Sequence, residues 1–365
     1  MKKDFNIAII GCGRISGHHI NSINSIDGLK ISSVCDLDSK KADAYSKEFN
    51  IPYFTNYHEM LCEIHNIDVV VIATPSGMHF EHSLDIIKKY KKHLVVEKPT
   101  FMRTDQLRMV YKEAKKNMLK IFPVFQNRYN SAVKRVKESI VNNEIGDIRI
   151  MNVRLRWCRP QRYYDLSEWR GTFSHDGGAI SNQGIHHIDL LRYLGGEIKS
   201  VNAEMRTMGA KIEVEDSVVS TFNYSNGSIG SLEVTTAARP DDFEASISIV
   251  GSKGLVQLGG VAVNMLEIFT PNPAETIKFS DDFSDLPDRG KVYGRGHTDM
   301  YSDISKSLHN ISDFPVTEED CFNTISLLHS FYVSDELKSS VDLKDNLQSK
   351  RLGIENNKIS NLYRT

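Results

Sequence analysis

The chain has 365 residues, 40% hydrophobic and 25% charged, and a formal net charge of −2. That balance is globular, and it excludes the basic footprint of a nucleic-acid binder and the cationic face of an anionic-membrane binder. No apolar run approaches the roughly 20 residues needed to span a bilayer, and the length points to two domains.

The opening stretch, MKKDFNIAIIG, reads as a first strand rather than a secretory leader, because an acid precedes a short apolar run and no small-residue cleavage site follows. Cys12, Cys35, Cys62, Cys158 and Cys321 are odd in number and widely spaced, with no CxxC pair. Neither a disulfide framework nor a zinc ribbon is expected, and reduced thiols fit a cytoplasmic protein.

Residues 5–10 lead directly into Gly11-Cys12-Gly13-Arg14-Ile15-Ser16, the strand–glycine turn–helix context of a dinucleotide site. Gly11 would permit the tight turn. Gly13 would let the backbone, with Arg14 and Ile15, approach a pyrophosphate at the helix N-terminus. Ser16 stands where a third glycine is commoner, and its small size keeps helix and strand close. The second strand ends in Asp36, about 20 residues on, where an acid would hydrogen-bond a ribose and repel a 2′-phosphate, favouring NAD over NADP. A competing reading makes Asp36 the cap of a helix starting near Ser39.

Strand and helix then alternate: strand 68–73 with Thr74-Pro75 and His79 beyond it, strand 93–97 ending in Glu97-Lys98-Pro99, and strand 120–125 followed by Gln126, Asn127 and Arg128. Ligands gather at such carboxyl ends. The expected cofactor contacts are Gly11, Gly13, Arg14, Ile15, Asp36, Thr74, Pro75, His79, Glu97, Lys98 and Gln126.

After Gly146 the pattern changes to strands, with hairpin signals at Ser225-Asn226-Gly227 and Gly251–Gly254. A mostly antiparallel sheet of five to seven strands is expected, covered by a buried helix over 182–194. On a helical wheel Asn182, His186, Asp189 and Tyr193 fall within about 60° of one another on an otherwise apolar helix. Buried polar side chains of this kind must hydrogen-bond in the core or line a wet pocket. His187 faces the apolar sector and reads as structural. Asp189 could orient His186 or merely fix the helix, and Asn182 could be an N-cap instead of a ligand contact. A His186/Asp189 pair lacks a third ligand, so no metal is expected. Residues 271–297 read as a long excursion, and helices near 298–310 and 318–339 close the chain.

Gly11-x-Gly13, Glu97-Lys98-Pro99, and Gly177-Gly178 followed by Asn182-x-x-x-His186-x-x-Asp189 resemble the Gfo/Idh/MocA family of sugar-handling oxidoreductases. The resemblance implies an α/β plus α+β fold: an N-terminal Rossmann NAD-binding domain over 1–126 and a C-terminal, mostly antiparallel β-sheet domain covered by helices over 127–365. Within the family, Arg159–Tyr164, Trp169–Thr172 and Asn182-Gln183 are similar to enzymes that oxidise the C3 hydroxyl of UDP-N-acetylglucosaminuronate for bacterial surface polysaccharide. Asn182 departs from the commoner Asp. An amide cannot act as acid or base, which leaves Lys98 and His186 as the titratable pair and argues against inositol dehydrogenases.

The expected catalytic set is His186 as base, Lys98 as electrostatic partner of the developing alkoxide and Asn182 as hydroxyl-orienting group, with the roles of His186 and Lys98 open to exchange. Expected substrate contacts are Lys98, Asn127, Arg128, Arg159, Gln161, Tyr163, Tyr164, Asn182, Gln183, His186 and His297, since arginine and tyrosine match a diphosphate, a carboxylate and hydroxyls. Some such enzymes reoxidise NADH with 2-oxoglutarate. A homodimer or homotetramer through the open sheet face is expected. Rival readings are a dehydrogenase or ketoreductase of another sugar or polyol, and an NAD(H)-sensing regulator.

Overall fold

A computed structural model describes residues 4–281 and 294–365. The chain forms two compact units, Met1–Val124 with His297–Phe322 and Glu355–Thr365, and Phe125–Gly296 with Asn323–Ile354. The first passage between units lies two residues before the expected boundary, and two later segments of the chain belong to the first unit.

The first unit begins β1 (Phe5–Ile10), α1 (Ser16–Asn24), β2 (Leu29–Cys35), α2 (Ser39–Phe49), β3 (Tyr53–Phe54) and α3 (Tyr57–Glu63). It continues with β4 (Val69–Ile72), α4 (His79–Asp85), β5 (His93–Val96), α5 (Thr104–Lys116) and β6 (Ile121–Pro123). Its six strands pair in parallel in the order β3-β2-β1-β4-β5-β6. Ile7, Ile9, Val69–Ile72 and Leu94–Val96 are buried on both faces, as the near-continuous apolar runs of a covered parallel sheet require. α5 packs inward through Leu107, Val110, Tyr111 and Ala114, spaced three and four apart. Strand order reverses between β1 and β4, the switch point at which ligands of doubly wound sheets bind.

The second unit contains α6 (Ser131–Val141), β7 (Ile148–Arg156), α7 (Gln161–Tyr164), α8 (Gly178–Asn182), α9 (Ile185–Gly195), β8 (Ile198–Arg206) and β9 (Ser217–Tyr224). There follow β10 (Ile229–Thr235), β11 (Glu244–Gly251), β12 (Leu255–Gly259), β13 (Met265–Phe269) and α10 (Glu275–Lys278). Then come α11 (Gly296–Leu308), α12 (Glu318–Leu337), β14 (Val341–Asp342) and α13 (Asn357–Ser360), of which α11 and α12 each cross a unit boundary and α13 belongs to the first unit. The sheet has eight strands, not five to seven, in the order β13-β12-β11-β7-β10-β9-β8-β14. All its pairings are antiparallel except β7 with β10. Both hairpins form where the turn residues place them, with Gly227 at φ +91°.

One expectation needs correcting. The helix over 182–194 is two helices, α8 and α9, parted at Gln183-Gly184. Gly184 permits the break: a Cβ there would meet the carbonyl oxygen of Ile180 at 2.9 Å. Asn182 therefore closes α8 and caps nothing, while Gly184 holds the N-cap position of α9. Ile185, Ile188, Leu190, Leu191 and Leu194 bury the rest of α9. Among the described residues no helix is long and apolar enough to cross a membrane. Residues 282–293 of the expected excursion lie outside the described residues.

Candidate active site

In the first unit the glycine turn has the shape a dinucleotide needs. Gly11 sits at φ +97°, and a Cβ there would strike the Ala73 carbonyl oxygen at 2.5 Å. At Gly13 a Cβ would meet no protein atom within 4 Å, so the turn keeps open space in front of it. Ser16 is fully buried and donates to the Gly11 carbonyl at 2.5 Å, which closes the helix onto the strand. The first turn of α1 carries no acid, and its N-cap residue Ile15 offers no capping side chain. The Gly17 N–H donates to the Tyr45 hydroxyl at 3.2 Å, while the helix dipole and the open turn at Gly13 fit a pyrophosphate. Arg14 is exposed and Ile15 is half-buried at the N-cap position.

Asp36 does not cap α2; Asp38 does, accepting from the Lys40 N–H at 3.1 Å. Asp36 accepts the Cys12 N–H at 2.7 Å and the Asp38 N–H at 2.8 Å, so the acid at the end of β2 also braces the glycine turn.

Glu97 is the centre of a buried cluster. Its Oε1 lies 3.0 Å from His19 Nε2 and 3.8 Å from His297 Nε2, and its Oε2 accepts the Lys98 N–H at 3.0 Å. His19 Nδ1 lies 2.8 Å from the Tyr301 hydroxyl. Burial raises the Glu97 carboxyl, but hydrogen bonds and charge from His19 and His297 outweigh it and hold the group well below the usual range. His19, Glu97 and His297 bring one ligand-type atom each within 4.8 Å of one another. His297, expected at the substrate, is thus packed beside Glu97, where burial lowers its pKa. His79 is buried with Nδ1 2.9 Å from the Pro99 carbonyl and Nε2 3.0 Å from the Thr74 carbonyl, tying the residue after β4 to the loop after β5. Thr74 and Pro75 are half-buried.

In the second unit His186 Nε2 lies 3.0 Å from Gln126 Nε2, and the Phe125 ring packs edge-on at 6.4 Å. Asp189 does not orient His186. It takes Arg128 Nε at 2.7 Å and Nη2 at 2.6 Å, with Thr324 at 3.3 Å, while the Arg128 guanidinium stacks 4.6 Å over Tyr193. Arg128 therefore anchors α9, and two of its nitrogens are committed to doing so. His187 is buried among apolar groups with its pKa pushed down to about 4, and neither ring nitrogen finds a hydrogen-bond partner among the described residues. Asn127 is buried beside these residues in the turn after β6.

The arginine- and tyrosine-rich loop divides. Tyr163 accepts from Arg170 Nη1 at 2.5 Å and from Gln183 Nε2 at 3.3 Å, which joins the loop to the segment between α8 and α9. Tyr164 instead turns into the core, its hydroxyl 3.0 Å from Thr236. Arg159 pairs with Asp242 at 2.7 Å, and Gln161 bridges Asp165 and the Lys211 N–H.

Local backbone conformation explains the glycine pair before α8. Gly177 and Gly178 lie at φ +77° and +79°, and a Cβ on Gly178 would fall 2.2 Å from Glu215 Oε1. Glu215 receives the Ile180 N–H at 3.2 Å and the Tyr332 hydroxyl at 2.9 Å. Burial pushes its carboxyl up to about 8, against an ordinary value of 4.5. Folded protein then binds more protons than unfolded protein between those values, so this group makes stability fall as pH rises from about 4.5 to about 8. Glu215→Gln should flatten that slope and stabilise the protein relative to wild type at pH 8.5 but not at pH 4.5, read as thermal midpoints across the range.

Sequence reasoning did not single out His19, Asp176, Glu215 or Tyr332. His19 and Tyr301 are 282 residues apart, and no local periodicity reports such a pair.

Two family descriptions match the chain, "Oxidoreductase family, NAD-binding Rossmann fold" over residues 5–125 and "GFO/IDH/MocA C-terminal domain" over 133–257. The chain belongs to the Gfo/Idh/MocA family. It is an NAD-dependent oxidoreductase. The WlbA dehydrogenase from Bordetella pertussis, solved with NADH and UDP-GlcNAcA, is 31% identical, with a TM-score of 0.84 over 94% of this chain and 98% of that one. Myo-inositol 2-dehydrogenase of Thermotoga maritima is 25% identical over 93% of this chain and 98% of its own length. Glucose-6-phosphate 3-dehydrogenase of Bacillus subtilis is 27% identical over 69% and 73%.

For this Gfo/Idh/MocA oxidoreductase, Asp36→Ala should raise the KM for NAD by roughly tenfold to a hundredfold, the loss of charge-assisted hydrogen bonds. It should also narrow the preference for NAD over NADP. Steady-state kcat/KM with both cofactors measures it, and an unchanged ratio would remove Asp36 from cofactor selection.

Proposed function

We propose that the chain oxidises the C3 hydroxyl of a UDP-N-acetylglucosaminuronate-type nucleotide sugar to the 3-keto sugar. The observation that carries this reading is the Arg170–Tyr163–Gln183 chain of hydrogen bonds, which couples a cation- and phenol-rich loop to the segment bearing Asn182 and His186. Such a loop suits the diphosphate and carboxylate of a nucleotide uronate. The likeness to WlbA over nearly the whole chain supports the same substrate class.

NAD, when bound, supplies the hydride acceptor. The chain's own groups supply the rest. His186 accepts the hydroxyl proton at Nδ1, which requires its proton to reside on Nε2 and face an acceptor. The Gln126 side chain provides that acceptor when its amide presents Oε1 to the ring, a rotation that leaves its atoms in the same place. Lys98 stabilises the oxyanion, and its backbone is held by Glu97. Asn182 orients the hydroxyl.

The test is a steady-state assay with UDP-GlcNAc-uronate and NAD, following absorbance of the reduced cofactor; no turnover with any UDP-uronate would sink the substrate assignment. The same preparation, given 2-oxoglutarate, reads whether that acid reoxidises bound NADH, and light scattering reads the proposed homodimer or homotetramer. A second reading, oxidation of a free or phosphorylated sugar or polyol, is favoured by the relatives that act on glucose 6-phosphate and myo-inositol. Turnover of such a sugar without UDP would select it.

A further inference from the structure

Asp176 carries no role in the chemistry above, yet it is buried and fully engaged. Its Oδ2 accepts the Gly171 N–H at 2.7 Å, and its Oδ1 accepts Nδ2 of Asn182. The backbone around it is fixed as well: the Thr172 carbonyl takes both the Asp176 N–H at 3.0 Å and the Gly177 N–H at 2.9 Å.

An Asn amide has one donor end and one acceptor end, and a carboxylate only accepts. Of the two ends, only the NH2 group can face Asp176. The amide is planar, so Oδ1 is then the end turned away from Asp176. We propose that Asp176 is a positioning residue that locks the amide of Asn182 with its carbonyl oxygen toward the ligand, which makes position 182 a reader of hydrogen-bond donors such as a sugar hydroxyl. This rests on the reading of Asn182 as a substrate contact.

The arrangement also says why an amide serves at 182 in this chain. A second carboxylate there would face Asp176 at hydrogen-bond distance in a buried place. Two such groups cannot both ionise, and one of them holds its proton to higher pH. Asn182 beside Asp176 presents an acceptor without that conflict.

Polarity can be inverted and restored by substitution. In Asp176→Asn the Gly171 N–H still demands an oxygen, so the new amide turns its NH2 to Asn182. The Asn182 amide must then rotate and offer its own NH2 to the ligand. Adding Asn182→Asp reverses this, because the NH2 at 176 donates to the carboxylate at 182 and the second carboxylate oxygen is turned to the ligand.

The experiment compares wild type, D176N, N182D and the D176N/N182D double variant, each checked for native circular dichroism. With the sugar that wild type turns over, kcat/KM of D176N should fall tenfold to a hundredfold, the range for mismatching one specific hydrogen bond. The double variant should return to within about threefold of wild type above pH 7. A folded double variant no more active than D176N, or a D176N with unchanged kcat/KM, would overturn the proposal.

Thermal midpoints against pH supply a readout that needs no substrate. N182D should lose stability relative to wild type as pH rises from 5 to 9, because its raised carboxyl must give up a proton, and the double variant should lose that extra slope. An N182D slope equal to wild type overturns the facing of the two side chains, whatever the enzyme oxidises. Normal thermal behaviour of the series combined with no turnover of any UDP-uronate would instead sink the nucleotide-sugar reading and leave the orientation standing.

Discussion

Lys98→Met should cut turnover by roughly two to three orders of magnitude while leaving NAD affinity within a few fold, because the role proposed for the cation is on charge that develops only during reaction. His186→Asn should cost roughly two to four orders, the usual range for a general base. The double variant should be scarcely worse than the poorer single one, since residues acting as one unit are not additive. Cofactor binding by fluorescence titration separates a chemical defect from a binding defect. Near-wild-type turnover in either single variant would remove that residue from the reaction.

The second large effect concerns stability. Asp189 and Arg128 form a buried bidentate pair, with side chains 2% and 7% exposed. Removing one partner leaves the other charge buried and alone, which typically costs about 3–5 kcal/mol. Asp189→Ala should therefore lower the urea midpoint sharply, whereas Arg128→Met with Asp189→Leu should lose far less, since an apolar pair of similar volume needs no counter-charge. Equal losses in the single and double variants would show that packing of Arg128 on Tyr193, rather than charge, holds α9 in place.

Much of the fold was legible because it rests on local rules. The apolar run into Gly11, the acid at the end of β2 and the two glycine hairpins are each decided by a few adjacent residues. The Glu97-Lys98-Pro99 tripeptide and the Gly177-Gly178 pair are readable for the same reason, as short runs of adjacent residues. What stayed hidden depends on distant partners. The break at Gly184 is invisible to periodicity, because Asn182, His186 and Asp189 keep helical spacing whether or not the helix is continuous. The direction of Asp189 was equally hidden, since the choice between His186 three residues away and Arg128 is made by packing. Two-residue β14 is too short to carry any alternation. Glu215 carries no local signal, since most glutamates are exposed; only the fold brings it against Gly178 and Tyr332.

The single parallel pairing in the large sheet sets a demand on synthesis. β7 is made early, but its two neighbours are β10 and β11, so it waits for its first partner until Ile229 and the residues beyond it leave the ribosome. At about 5–20 residues per second that is an interval of several seconds. Throughout it Met151, Val153 and Leu155 have no sheet to shelter them, and both edges of the strand can pair with another chain. Chains arrested just before β10 should therefore bind trigger-type chaperones and aggregate without them, and release just after β11 should end both behaviours. Stalled-ribosome pelleting at the two lengths measures it, and equal solubility at both would mean that α9 alone covers the waiting strand.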